Sequence, residues 1–128
     1  MKVLLDTHTL LWATLSVSTL SKRAAHVIAN RSNEIFVSAA SAWEVATKVR
    51  LGKLPHAVLF EREFLVKVDE AGYTLLPITA AHALRAGRLI GDHRDPFDRM
   101  IAAQALAEDI PILSIDKSLD SFGITRIW

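Results

Sequence analysis

His93-Arg94-Asp95-Pro96-Phe97-Asp98-Arg99-Met100-Ile101-Ala102-Ala103-Gln104-Ala105-Leu106 reads as a helix that opens on acid and runs into alanine. Asp95 suits the N-cap, and Pro96 suits the first helical position, where its missing N–H is no loss. Asp98 then falls at the third helical position, beside the positive end of the helix dipole. Phe97, Ile101 and Ala105 share one face, and the alanines imply close packing of another element. Two carboxylates three apart serve either as an ordinary cap or as half of a metal site.

Outward from this helix the chain alternates strand and helix. Downstream, Ile112-Leu113-Ser114-Ile115 predicts a strand ending at Asp116, and Ile124 to Trp128 a short final one. Upstream, Thr79 caps a helix to about Leu89, after a strand at Tyr73-Thr74-Leu75-Leu76. Leu59 to Glu70 predicts an amphipathic helix. Ser41-Ala42-Trp43-Glu44 has capping-box spacing and predicts a helix beginning there. Ile35-Phe36-Val37 and Val3-Leu4-Leu5 are buried strands, Thr9 to Ala13 a short helix, and Ser21 the N-cap of Lys22 to Ala29. The strands are apolar without strict alternation, as in a parallel sheet covered on both faces. With 128 residues and no linker, repeat or low-complexity tract, one α/β domain over residues 1–128 is expected.

Composition narrows the class. The chain is 51% hydrophobic, a globular value, and no apolar run is long enough for a membrane span. The N-terminal apolar run meets Asp6 after three residues, unlike a signal peptide. Without cysteine there is no disulfide framework and no thiolate zinc site, and a cytoplasmic setting is the expectation. Net charge is +1, from 15 basic and 14 acidic residues, so nucleic-acid affinity must be read from charge placement.

Sites in open parallel sheets form outside the carboxyl ends of the strands. Asp6 and Asp116 each follow a strand, and Glu44 and Asp98 each fall near a helix start at the same edge. Singly, each has an ordinary duty in a cap or turn. Jointly they are a crowd of carboxylates, which repel unless a cation neutralises them. All-oxygen ligands suit Mg2+ or Mn2+, and the natural substrate of such a site is a phosphodiester. His8, His82 and His93 are scattered and read as structural or solvated.

The residues that carry these acids resemble a PIN domain, of the kind found in VapC-type toxins of prokaryotic toxin–antitoxin pairs. The resembling segments are Val3-Leu4-Leu5-Asp6-Thr7-His8-Thr9-Leu10-Leu11-Trp12, Ser38-Ala39-Ala40-Ser41-Ala42-Trp43-Glu44-Val45 with Leu51-Gly52-Lys53-Leu54, His93 through Ala105, and Leu113-Ser114-Ile115-Asp116. The third is the most specific and the fourth the loosest. The resemblance implies a three-layer α/β fold whose central, mostly parallel sheet of four to five strands is flanked by helices. It implies a Mg2+-dependent ribonuclease, with Mn2+ as a substitute, that hydrolyses RNA to 5′-phosphate and 3′-hydroxyl ends. Asp6, Glu44, Asp98 and Asp116 carry over as metal ligands and catalytic residues. Asp95 stands between capping and metal contact. A small antitoxin and a homodimer are implied as partners. Two departures stand out: His8 lies where many relatives have Asn, and Asp120 lies where it could share the role of Asp116.

An acidic site needs bases to hold an RNA backbone. Arg94 and Arg99 flank the acids and are the expected RNA contacts, although Arg99 points about 100° around the helix from Asp98. Trp43 is expected in the core. The alternatives are an RNA-processing nuclease of the same fold without an antitoxin, a receiver-like Mg2+-binding signalling module, and a catalytically silent binding module. The receiver needs paired acids after the first strand and a mid-chain Asp, and both are missing.

Overall fold

The computed structural model describes residues 1–128. Strands β1 (Lys2–Leu5), β2 (Glu34–Ser38), β3 (Thr74–Leu76), β4 (Ile112–Leu113) and β5 (Arg126–Ile127) form one sheet in the order β3-β2-β1-β4-β5. Every pairing is parallel. Helices α1 (Thr7–Leu15), α2 (Lys22–Ala29), α3 (Ala39–Arg50), α4 (Val58–Arg62), α5 (Phe64–Glu70), α6 (Ala80–Arg88) and α7 (Pro96–Glu108) complete the chain with three short 3-10 turns.

Val3, Leu4 and Leu5 are all wholly buried because β1 is covered on both sides. Val3 and Leu5 point into a core with Leu10, Val27, Val37, Val45, Phe60 and Phe64. Leu4 points into a second core with Ile101, Ala102, Ala105, Ile112 and Leu119. Successive strand residues face opposite ways, so an unbroken apolar run fills two cores. The architecture is therefore the expected three-layer α/β fold. Ala102 and Ala105 of α7 are buried in the second core with Leu4 and Ile112, so this helix covers one face of the sheet.

β1 lies between β2 and β4. A receiver module has the order 2-1-3-4-5, with its first strand between the second and third. The observed order overturns the receiver alternative. It also places the switch point, where the winding reverses, between the carboxyl ends of β1 and β4, which are the ends bearing Asp6 and Asp116.

Three local expectations change. α3 starts at Ala39, not at Ser41, and its N-cap is Ser38, whose hydroxyl accepts from the Ala40 N–H at 2.9 Å. β2 turns straight into the helix at Ser38, so Ser41 and Glu44 are already inside it. Ser41 is buried and its hydroxyl pairs with Thr7 Oγ1 at 3.0 Å. The helix expected over Leu59 to Glu70 is broken at Glu63, which leaves helical dihedrals (φ −107°, ψ 18°) between α4 and α5. β4 stops at Leu113, because Ser114 turns its hydroxyl to Asp6 and Asp116 begins a 3-10 turn.

A buried amide locks the layer that carries the acids. Gln104 of α7 accepts from the Ser38 hydroxyl at 2.5 Å and donates to the Pro77 carbonyl at 3.2 Å. One side chain thus ties α7 to the start of α3 and to the exit of β3. Buried amides are tolerated when paired in this way.

Candidate metal centre

Asp6 caps α1: its Oδ1 accepts from the Thr9 N–H at 2.8 Å. Its other oxygen accepts from the Ser114 hydroxyl. Asp6 is only 5% exposed. Burial raises its pKa, against the lowering effect of the hydrogen bonds from Ser114 and Thr9. Ser114 in turn accepts from the Asp116 N–H at 3.0 Å. One hydroxyl therefore ties the acids at the ends of β1 and β4 together.

Glu44 is 2% exposed, in the second turn of α3. Its Oε2 pairs with Lys48 one turn on. Its Oε1 is buried and has no hydrogen-bond partner. An orphaned carboxylate oxygen is costly in a protein interior, and a bound cation would satisfy it. Lys48 supplies the only countercharge Glu44 contacts. Lys48→Met is expected to lower the stability of the metal-free protein by about 2 kcal/mol, roughly 8 °C in melting temperature. Added Mn2+ is expected to return part of that loss. Thermal melts with and without chelator check this, and equal losses in both would contradict it.

At the start of α7, Asp95 keeps the cap: its Oδ1 accepts from the N–H groups of Phe97 at 2.9 Å and Asp98 at 3.3 Å. Asp98 faces His93, whose Nε2 lies 2.8 Å from Oδ2. Burial pushes the Asp98 carboxyl up to about 6, and the charges of Asp95 and Glu44 push the same way against the His93 hydrogen bond. Asp116 behaves oppositely. Burial would raise it, but the Ser118 N–H at 2.9 Å, the Ser118 hydroxyl at 2.7 Å, and the charges of His93 and Arg126 hold it below the usual carboxylate range. One nitrogen of His93 and one oxygen each of Asp98 and Asp116 lie within 4.8 Å of one another. This donor set fits a divalent cation, and the Glu44 carboxylate is near enough for its charge to act on Asp98.

Of the four expected acids, Asp98 and Asp116 meet within one 4.8 Å group, and Asp6 and Glu44 are tied to that group less directly. Asp6 reaches Asp116 through Ser114, Asp116 stands against Asp98 and His93, and Asp98 feels Glu44. Asp120 is turned away, paired with Arg126 at 2.8 and 3.2 Å. His8 is exposed, tilted against Trp12 with ring centroids 5.9 Å apart. Trp43 is not core: it is 58% exposed, edge-on to Phe97 at 4.7 Å beside Glu44. Arg94 is exposed next to the acids.

Arg99 does other work than expected. Its guanidinium donates to the carbonyls of Ala86 (2.9 and 3.2 Å), Leu89 and His93 (3.1 Å), and it lies 5.7 Å over the Phe122 ring. Its donors are spent on the last carbonyls of α6 and on the loop into α7, whereas Arg94 is exposed. Ser114, His93 and Lys48 are the residues that sequence reasoning missed. Only Lys48 carried a readable signal, four positions after Glu44 on one helix face.

A family model described as PIN domain matches residues 3–124. No curated protein sequence matches. Among solved structures, VapBC2 from Rickettsia felis, bound to a DNA fragment from its promoter, superposes with a TM-score of 0.67 at 18% identity, covering 100% of this chain and 99% of that one. FitAcB from Neisseria gonorrhoeae gives 0.67 at 20% identity over 98% and 96%. VapBC-1 from nontypeable Haemophilus influenzae gives 0.55 at 14% over 99% and 97%. At these identities the likeness is one of fold.

Proposed function

The chain belongs to the PIN domain family, a family of nucleases, and on that premise we propose that it is a Mg2+-dependent endoribonuclease, with Mn2+ as a substitute. The observation that carries this reading is the convergence of Asp98, Asp116 and His93 within 4.8 Å, together with a buried Glu44 oxygen that has no partner. Asp6, Glu44, Asp98 and Asp116 would hold the ion. When bound, a divalent cation supplies Lewis acidity, which eases deprotonation of the attacking water and neutralises charge on the phosphodiester.

The chain's own residues do the rest. The Ser114 hydroxyl fixes the Asp6 carboxylate and the turn bearing Asp116 in one orientation. The Asp95 cap fixes the first turn of α7, and so the direction of Asp98. Exposed Arg94 would hold a substrate phosphate at the mouth of the site. Trp43, exposed beside Glu44, offers a face on which a base of single-stranded RNA could stack.

We further propose that the protein acts in the cytoplasm as a homodimeric toxin neutralised by a small antitoxin. Two of the solved structures of like fold are a VapBC pair bound to promoter DNA and FitAB bound to a DNA fragment, which supports a protein partner here. Exposed apolar side chains, among them Leu59, Leu65 and Val66, supply surface for such contacts.

The test is cleavage of RNA by the purified chain, freed of any co-purifying protein. Cleavage is expected in Mg2+ or Mn2+, with 5′-phosphate and 3′-hydroxyl ends, and a fall of at least a thousandfold with excess chelator. Cleavage that persists in chelator, or that leaves cyclic phosphate ends, would overturn the reading.

A further inference from the structure

His93 stands in the loop between α6 and α7 and is held from three directions. Arg99 donates to its carbonyl at 3.1 Å, and the Phe122 ring meets its imidazole edge-on with centroids 5.5 Å apart. Its Nε2 is aimed at Asp98, 2.8 Å from Oδ2. A histidine that merely shields a loop needs none of this. One imidazole nitrogen and one oxygen each of Asp98 and Asp116 lie within 4.8 Å of one another. Donors to a first-row divalent ion sit about 2 Å from it, so they stand about 3 to 4 Å apart across it. The set lies within 4.8 Å, so a small inward movement of these side chains would bring it to that spacing. Independently, Glu44 Oε1 is buried without a hydrogen-bond partner, and a cation would satisfy it.

We propose that His93 is a ligand of the metal centre, adding an imidazole nitrogen to its carboxylate oxygens and shifting its preference from Mg2+ toward Mn2+. The inference rests on the metal-dependent reading above. Mg2+ is hard, favours oxygen and gives up water reluctantly, whereas imidazole favours the later, more borderline first-row ions. A carboxylate-only centre would leave that choice to cellular abundance. A nitrogen donor gives it to the protein. If His93 only oriented Asp98 through a hydrogen bond, Gln in its place would keep the hydrogen bond and leave the metal preference unchanged.

The experiment is pulsed electron paramagnetic resonance on the Mn2+-loaded full chain, with calorimetric titration of Mn2+ and Mg2+. The wild type is expected to show nitrogen-14 coupling from a directly bound imidazole. His93→Gln should lose that coupling, while His8→Gln, altered at the other histidine near the acids, should keep it. The ratio of Mn2+ to Mg2+ affinity should fall about tenfold in His93→Gln. Should His93→Gln fold poorly, nitrogen-15 labelling of histidine in the wild type must still convert the coupling. Bound Mn2+ without nitrogen coupling, or coupling that survives in His93→Gln, overturns the role of His93 and leaves the nuclease reading standing. Failure of the wild type to bind Mn2+ at all overturns both.

Discussion

Asp98→Asn is expected to lower RNA cleavage by about a thousandfold or more while making the metal-free protein more stable at neutral pH. The two effects have one cause. The carboxylate sits where burial and the charges of Asp95 and Glu44 disfavour its ionised form, and its pKa is raised from 3.8 to about 6. A metal centre contributes several kcal/mol of transition-state stabilisation, and about 4 kcal/mol corresponds to a factor of about a thousand. Without the ion, the same charge is a burden. The folded state binds the proton more tightly than the unfolded chain does, so the ionised carboxylate costs stability at every pH above about 6. That cost fades between about 6 and 3.8 and is absent below 3.8. The metal-free Asn variant is therefore expected to melt a few degrees above the wild type at pH 8 and level with it near pH 4, of the order of 2 kcal/mol at most. Wild-type Mn2+ affinity should also weaken about tenfold per pH unit below pH 6, as protons compete for the ligand. Melting curves in chelator across that range check the sign. A variant less stable than the wild type at pH 8 would show that Asp98 serves the fold and not a cation.

Arg99→Met is expected to damage the fold and leave the electrostatics of RNA binding alone. The guanidinium spends its donors on the carbonyls of Ala86, Leu89 and His93. Hydrogen bonds from a charged donor contribute about 1.5 to 3 kcal/mol each, discounted here because the side chain is half-buried. A net loss of about 3 kcal/mol is expected, measured by chemical denaturation. Because its carbonyl contact holds the His93 loop, metal affinity should fall with it. The dependence of RNA binding on salt should keep its slope, since no phosphate contact is lost. Arg94→Ala should do the reverse, with stability unchanged and the salt slope reduced by about one. A shallower slope in Arg99→Met, with stability intact, would restore Arg99 to the RNA surface.

The sequence carries the layers of this fold because they follow from which side chains must leave water. Val3, Leu4 and Leu5 admit no exposed face, so a strand covered on both sides was required, and the sheet covers them that way. Asp6 and Asp116 were placed at one edge by that topology alone. Helix starts were less legible. The Ser41–Glu44 spacing imitates a capping box, yet Ser38 ends β2 and takes the cap, leaving Glu44 buried in the second turn. Capping chemistry is local and repeats along serine-rich stretches, so spacing alone does not choose among Ser38 and Ser41. Trp43 misled by its size: most large aromatics are buried, but this one is 58% exposed and packs against Phe97. Ser114, Arg99 and His93 were illegible for another reason. Their roles depend on partners 108, 13 and 5 residues away, brought together by strand pairing and by a loop whose course no periodicity encodes.

The central claim is that Asp6, Glu44, Asp98 and Asp116 surround one divalent-cation site. Anomalous diffraction from crystals of the wild type soaked in Mn2+ tests it most directly. The expected result is a strong peak bounded by these carboxylates at the carboxyl edge of β1 and β4, with Lys48 displaced from Glu44, and no such peak in Asp98→Asn. No density there in the wild type, with RNA cleavage undiminished in Asp98→Asn, would contradict the account.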